Sequence, residues 1–197
     1  MFVEPLQRHL HVCAQVDLPS YSKRDPGFWN VVSIREPSRP IPNSAGFRQI
    51  HTMLCLDVVG TDGIEENELI HAPRLEHLEA VFQFADNIPD EPLLVHCWAG
   101  VSRSSAVALA LIVRAMHFDG YSEDEIVNEA CETLLALRPQ AAPNPLVLEI
   151  GLSLFLDTDS ASRLLVRLVN HPELFQNRYK GASPNTEPCS PKPIIGI

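Results

Sequence analysis

At 197 residues the chain is long enough for one domain with a sizeable core, and its 45% hydrophobic and 20% charged content is that of a globular protein. A formal net charge of −10 argues against nucleic acid or an anionic membrane as a partner. The opening Met1-Phe-Val-Glu-Pro5 is not the pattern of a signal peptide, and the longest apolar run, Ala106 to Val113, is too short to span a bilayer. Five cysteines, at 13, 55, 97, 131 and 189, form neither a disulfide framework nor a zinc pattern, so a reducing cytoplasm is expected. Cys13 and Cys55 fall in apolar runs and read as inert core thiols, ahead of a redox partnership with Cys97.

In chain order, strands are expected at Leu10–Ala14, Trp29–Ile34, Thr52–Asp57 and Leu93–His96. Pro37 to Pro42, after the second of these, reads as a loop bordering a pocket. A helix from about Pro73 to Ala85 carries Leu75, Leu78, Val81, Phe82 and Ala85 at helical spacing. A second covers Ser105–Met116, and a third starts at the capping box Ser122-Glu-Asp-Glu125 and runs to about Leu137. Two more follow, Leu146–Leu156 opened by Pro145, and Ser160–Val169. Strands alternating with helices predict an α/β fold: a central, mostly parallel sheet of four to five strands flanked by helices on both faces. The domain is expected over residues 1–170, with a Pro-rich C-terminal tail over 171–197; from Gly181 the tail has no apolar period and reads as disordered.

The chemistry concentrates in His96-Cys97-Trp98-Ala99-Gly100-Val101-Ser102-Arg103-Ser104. Cys97 ends a buried strand, and the next five residues form a loop that opens onto a helix N-terminus. Unpaired N–H groups and the helix dipole make such a place electropositive. A thiol near 8.5 in free cysteine falls to roughly 3.5–7.5 in a setting of this kind, giving a thiolate nucleophile. Gly100 lets successive N–H groups of Trp98, Ala99, Val101 and Ser102 converge on one anion. The planar fork of Arg103 matches two phosphoryl oxygens. Ser104 is placed to hydrogen-bond the sulfur and improve it as a leaving group, and His96 to orient the loop through its ring nitrogens. Cys97 alone would read as a core residue, because cysteine is among the most buried types; the five motif residues together outweigh that.

This segment matches the His-Cys-x5-Arg-Ser/Thr loop, and the chain resembles the cysteine-dependent protein tyrosine phosphatases, most of all the small dual-specificity-type bacterial members. A weaker match, Arg138-Pro139-Gln-Ala-Ala-Pro143-Asn144, is similar to the Arg-Pro…Pro-Asn segment of the dual-specificity branch, and implies that Asn144 supports the phosphate loop. The resemblance spans residues from about 28 to 156. It implies a general acid upstream of Cys97, where Asp57, Asp62 and Glu65 lie. Asp57, at a strand end, is preferred, with Asp62 in Gly60-Thr-Asp-Gly63 as the alternative; the Trp-Pro-Asp motif of the larger tyrosine phosphatases is absent.

The expected activity is phosphomonoester hydrolysis through a phosphocysteine, with a phosphorylated protein or small phosphomonoester as substrate and no cofactor. The loop carries no lysine, which disfavours polyphosphorylated lipids. Phosphotyrosine is the first choice, with Trp98 and Phe28-Trp29 as an apolar rim. Histidines 51, 71 and 77 read as surface or core residues, and no metal is implied. Two alternatives stand: a phosphate-binding module that does not turn over, and a rhodanese-like sulfurtransferase, against which His96 and the Arg103-Ser104 pair argue.

Overall fold

The computed structural model describes residues 1–39, 41–43, 45–59 and 71–180. Asp62, Glu65, Cys189 and the stretch from Gly181 onward lie outside the described residues. The strands are β1 (Phe2–Val3), β2 (Arg8–Ala14), β3 (Asn30–Arg35), β4 (Gln49–Leu54) and β5 (Leu93–Cys97). The helices are α1 (Leu18–Arg24), α2 (Leu75–Asp86), α3 (Arg103–Phe118), α4 (Glu123–Leu137), α5 (Pro145–Ser153), α6 (Thr158–Val169) and α7 (Pro172–Lys180). The sheet order is β1-β2-β5-β3-β4; only the short β1 is antiparallel to its neighbour.

The sheet is built from apolar, β-branched runs. Val12 lies opposite Val95 and Val95 opposite Val32 across the three central strands. Side chains alternate across a strand, so Leu93, Val95 and Cys97 face the large core while Leu94 belongs to a small cluster on the other face. Helices α2 to α7 all contribute to the large core; among the described helices α1, through Leu18, alone contributes to the small one with Cys13, Trp29 and Val31. Helices do lie on both faces, but one face carries almost the whole apolar load.

Helix α3 is the axis of that core. Its run Ala106–Val113 is fully enclosed, each large side chain adding about 1.5–3 kcal/mol of burial. It touches β5, α4 and α5. Gly151 permits the α5 approach, since a Cβ there would come within 2.8 Å of Ala110 Cβ. The capping box on α4 forms as its sequence dictates: Ser122 N–H donates to Glu125 at 2.8 Å and Glu125 N–H to Ser122 Oγ at 3.4 Å.

Two expectations shift, and one helix is unexpected. The fourth strand covers Gln49–Leu54 rather than 52–57, because its backbone pairs with β3 from Asn30 onward, and a mostly exposed edge strand carries no apolar run to mark its start. Asp57 therefore lies three residues beyond the strand. The domain also continues past residue 170: α7 spans Pro172–Lys180 and Leu174 is fully buried, so the stretch assigned to a tail begins as packed helix. Helix α1 escapes a pattern search because Leu18 is its only buried residue.

Candidate active site

Parallel pairing brings the ends of β2, β5, β3 and β4 to one edge of the sheet, where ligands bind in folds of this type. Cys97 ends β5 there, 1% exposed, with its Sγ 3.1 Å from Ser104 Oγ. The five following residues wrap around this sulfur, and every one of their carbonyls is tied from outside. Trp98 O accepts from Gln15 N–H at 3.2 Å, Val101 O from Ala142 N–H at 3.0 Å and Ser102 O from Asn144 N–H at 3.3 Å. Arg138 holds the other two, donating from Nη2 to Ala99 O at 3.0 Å and from Nε to Gly100 O at 2.8 Å. All the peptides are trans, so each outward carbonyl sets the N–H of the next residue inward. This leaves the N–H groups of residues 99 to 103 on the side of the loop away from those donors, an arrangement that suits the cradling of an anion.

Gly100 is required on two counts. Its φ is +68°, and a Cβ would fall 2.4 Å from the backbone carbon of Cys13. The loop is pressed directly onto the end of β2.

Arg103 opens α3 with its side chain only 2% exposed. Nη1 donates to Cys55 O at 2.7 Å and Nη2 to Glu36 Oε1 at 3.0 Å. Glu36 in turn accepts from Arg39 Nε at 3.0 Å, and the Arg39 guanidinium lies 4.3 Å from the centre of the Trp98 ring. Partial burial pushes the Glu36 carboxyl up, but the hydrogen bond from Arg39 and the charge of Arg103 outweigh it and hold it below its ordinary value. Arg103, Glu36, Arg39 and Trp98 form one chain from the floor of the loop to its rim.

Asp57 reaches the loop in spite of its shifted strand. Oδ1 accepts from Ser102 Oγ at 2.7 Å and from Asn144 Nδ2 at 2.8 Å, while Oδ2 is 3.5 Å from Arg103 Nε. Asn144 also caps α5, its Oδ1 accepting from Val147 N–H at 3.0 Å, and so joins the loop, Asp57 and a helix start.

Two expected contributors stand elsewhere. Phe28 and Trp29 precede β3 at the opposite end of the sheet from Cys97, about 16 Å or more away by strand rise, and cannot rim the loop. His96 points to the α1 face, where burial pushes it down to about 4 against a smaller opposing effect of a hydrogen bond with the Cys97 backbone, so the ring is neutral. Burial pushes Cys13 and Cys55 up to about 12, in keeping with inert thiols. His77 Nδ1 accepts from Arg74 N–H at the start of α2, and His51 stacks on Phe84.

Glu36, Arg39 and Arg138 were not read as site residues from the sequence. Glu36 directly follows β3, so the rule that strand ends carry function would have pointed to it. Pro42, in the loop expected to border a pocket, does line a groove with Trp98.

No family model matches the chain, and no curated protein matches it. Among solved structures it is similar to human DUSP28, at 20% identity over 82% of this chain and 91% of that one, with a TM-score of 0.47. It is similar to OH1 from the Orf virus, a tyrosine phosphatase, at 16% identity over 84% and 83% of the two chains with a TM-score of 0.49. PTPMT1 in complex with PI(5)P stands at 18% identity, 81% and 94% coverage and a TM-score of 0.49. The Cys97–Arg103 loop of this chain carries the His-Cys-x5-Arg-Ser pattern on which its resemblance in sequence rests.

Proposed function

We propose that the chain is a cysteine-dependent phosphatase acting on phosphorylated tyrosine in proteins. The observation that supports this reading is Cys97 Sγ beside Ser104 Oγ at the start of a loop whose five carbonyls are each held by an outside donor, an arrangement that suits inward N–H groups, with Arg103 next in the chain. A phosphoryl group seated there has three equatorial oxygens for the N–H groups and the guanidinium. The thiolate of Cys97 attacks phosphorus in line, the P–O bond to the leaving group breaks, and Asp57 gives the departing oxygen its proton. Asp57 then takes a proton from water, whose oxygen attacks phosphorus and releases Cys97 and inorganic phosphate. Ser104 Oγ supports the sulfur as it leaves with the bonding pair. Electrostatic stabilisation by preset donors is the largest contribution in sites of this kind.

Cys97 is a buried residue, 1% exposed, which favours the longer reach of a phosphophenyl group over phosphoserine. The test is hydrolysis of p-nitrophenyl phosphate, expected for the native protein and lost on Cys97→Ser with binding of phosphate retained. Hydrolysis that persists in Cys97→Ser overturns the reading.

A phosphate-binding module without turnover is the second reading. It draws on the threefold hold on Asp57 by Ser102, Asn144 and Arg103, which an acid catalyst must leave. p-Nitrophenyl phosphate separates the two, because its leaving group barely needs the acid. Among the described residues no helix is long and apolar enough to cross a membrane. We assign the protein to the cytoplasm on its cysteine usage.

A further inference from the structure

The signature loop has a second, outward side. Against it lies an apolar groove of about 550 Å³ walled by Val16, Leu18, Pro19, Pro42, Trp98 and Ala99. We propose that this groove seats a large apolar side chain of a phosphorylated peptide or protein, close in sequence to the phosphorylated residue; the proposal rests on the phosphatase reading of the same loop.

Three observations point to that occupant. The first is continuity. Trp98 and Ala99 wall the groove while belonging to the loop whose N–H groups form the cradle, so a phosphoryl group in the cradle brings the rest of its carrier alongside. Successive residues of a peptide are only 3.8 Å apart, so the residues flanking the phosphorylated one stay next to the loop that Trp98 and Ala99 share with the groove. The second is exposure. Val16 is 80% and Trp98 47% exposed, and they stand together at one mouth rather than scattered over the surface. The Arg39 guanidinium over the Trp98 ring braces that wall, and Glu36 ties it to Arg103. The third is the chemistry of the remaining lining. Asn43 borders the groove with an amide whose N–H₂ group suits the C=O groups of a peptide backbone and offers a lipid chain nothing. A net charge of −10 also opposes approach to an anionic membrane, so a phospholipid is the poorer match.

The experiment compares kcat/KM for phosphotyrosine peptides carrying leucine, phenylalanine or glycine at the flanking positions, with p-nitrophenyl phosphate as the reference. Two variants at the exposed Val16, Val16→Glu and Val16→Lys, leave the cradle alone and differ in charge. The apolar peptides should be hydrolysed about tenfold more efficiently than the glycine peptide. Both variants should erase that preference and leave the p-nitrophenyl phosphate rate unchanged. Equal rates for all peptides, a preference that survives both variants, or a vesicle-borne phosphoinositide turned over in preference to the apolar peptides overturns the proposal. If p-nitrophenyl phosphate is not hydrolysed, it is the phosphatase reading that falls. Polarisation binding of the same peptides then judges the groove, and equal affinities overturn it.

Discussion

Glu36 Oε1 accepts from Arg103 Nη2 at 3.0 Å, linking the end of β3 to the first residue of α3 across 67 positions of sequence. The guanidinium is 2% exposed, so this carboxylate is both its counter-charge and its orientation. Glu36 and Cys55 O fix the guanidinium through Nη2 and Nη1, and so set its orientation beside Asp57. Glu36→Gln should lower kcat/KM for p-nitrophenyl phosphate by about ten- to a hundredfold, the worth of one hydrogen bond between charged groups. Vanadate inhibition should weaken in parallel, which a loss of stability alone would not produce. Vanadate affinity equal to that of the native protein would show that Arg103 needs no such partner.

Asp57→Asn separates the acid from the rest of the site. The variant should lose little on p-nitrophenyl phosphate in the first turnover, but about 10²–10⁴-fold on phosphotyrosine, whose leaving group needs the proton. Equal losses on both substrates would assign Asp57 to holding Ser102 and Asn144 in place, and the acid to another carboxylate.

Arg138 ties two neighbouring carbonyls of the loop with two nitrogens of one planar group. Lysine cannot copy that fork. Arg138→Lys should therefore cost about a hundredfold in kcat, the effect of a loop displaced by about 1 Å, with a change in melting temperature of only a few degrees. Wild-type kcat in this variant would show that the backbone donors Gln15, Ala142 and Asn144 suffice.

His96 sets a pH dependence of stability. Burial holds its folded value at about 4, below the 6.5 of an exposed histidine, so between these values the unfolded chain binds a proton that the folded one refuses. Stability at neutral pH is full and falls as pH drops from 6.5 toward 4, by about 3 kcal/mol from this residue. His11, His51 and His77, also lowered by burial, add to the same slope. Urea midpoints of His96→Asn and the native protein should converge as pH falls through this window; parallel curves would contradict the assignment.

What the sequence disclosed and what it hid divide by range. β5, the loop and α3 are contiguous, and a buried run, a motif and a helical run each announce themselves locally. The same holds for Ser122 and Asn144, whose caps are formed with residues three positions on. Asp57 was found by chemistry rather than pattern, and it remained at the site although its strand ends at Leu54, because the chain beyond β4 stays at the same sheet edge. Glu36 and Arg138 reach Arg103 and the loop carbonyls across 67 and 38 positions, with no local signal that names their partners. Phe28 and Trp29 show the opposite failure: an aromatic pair looks like a pocket rim until the strand direction places it at the far end of the sheet.

The central claim is that Cys97 takes the phosphoryl group, and it is tested most directly by trapping that group. Asp57→Asn, which lacks the base for the second step, is mixed with ³²P-labelled p-nitrophenyl phosphate, whose leaving group barely needs the acid in the first step, then quenched in milliseconds and digested. One label per chain should appear on the peptide that contains Cys97, and none in Asp57→Asn/Cys97→Ser. Turnover with no labelled protein, or label that persists without Cys97, would contradict the account.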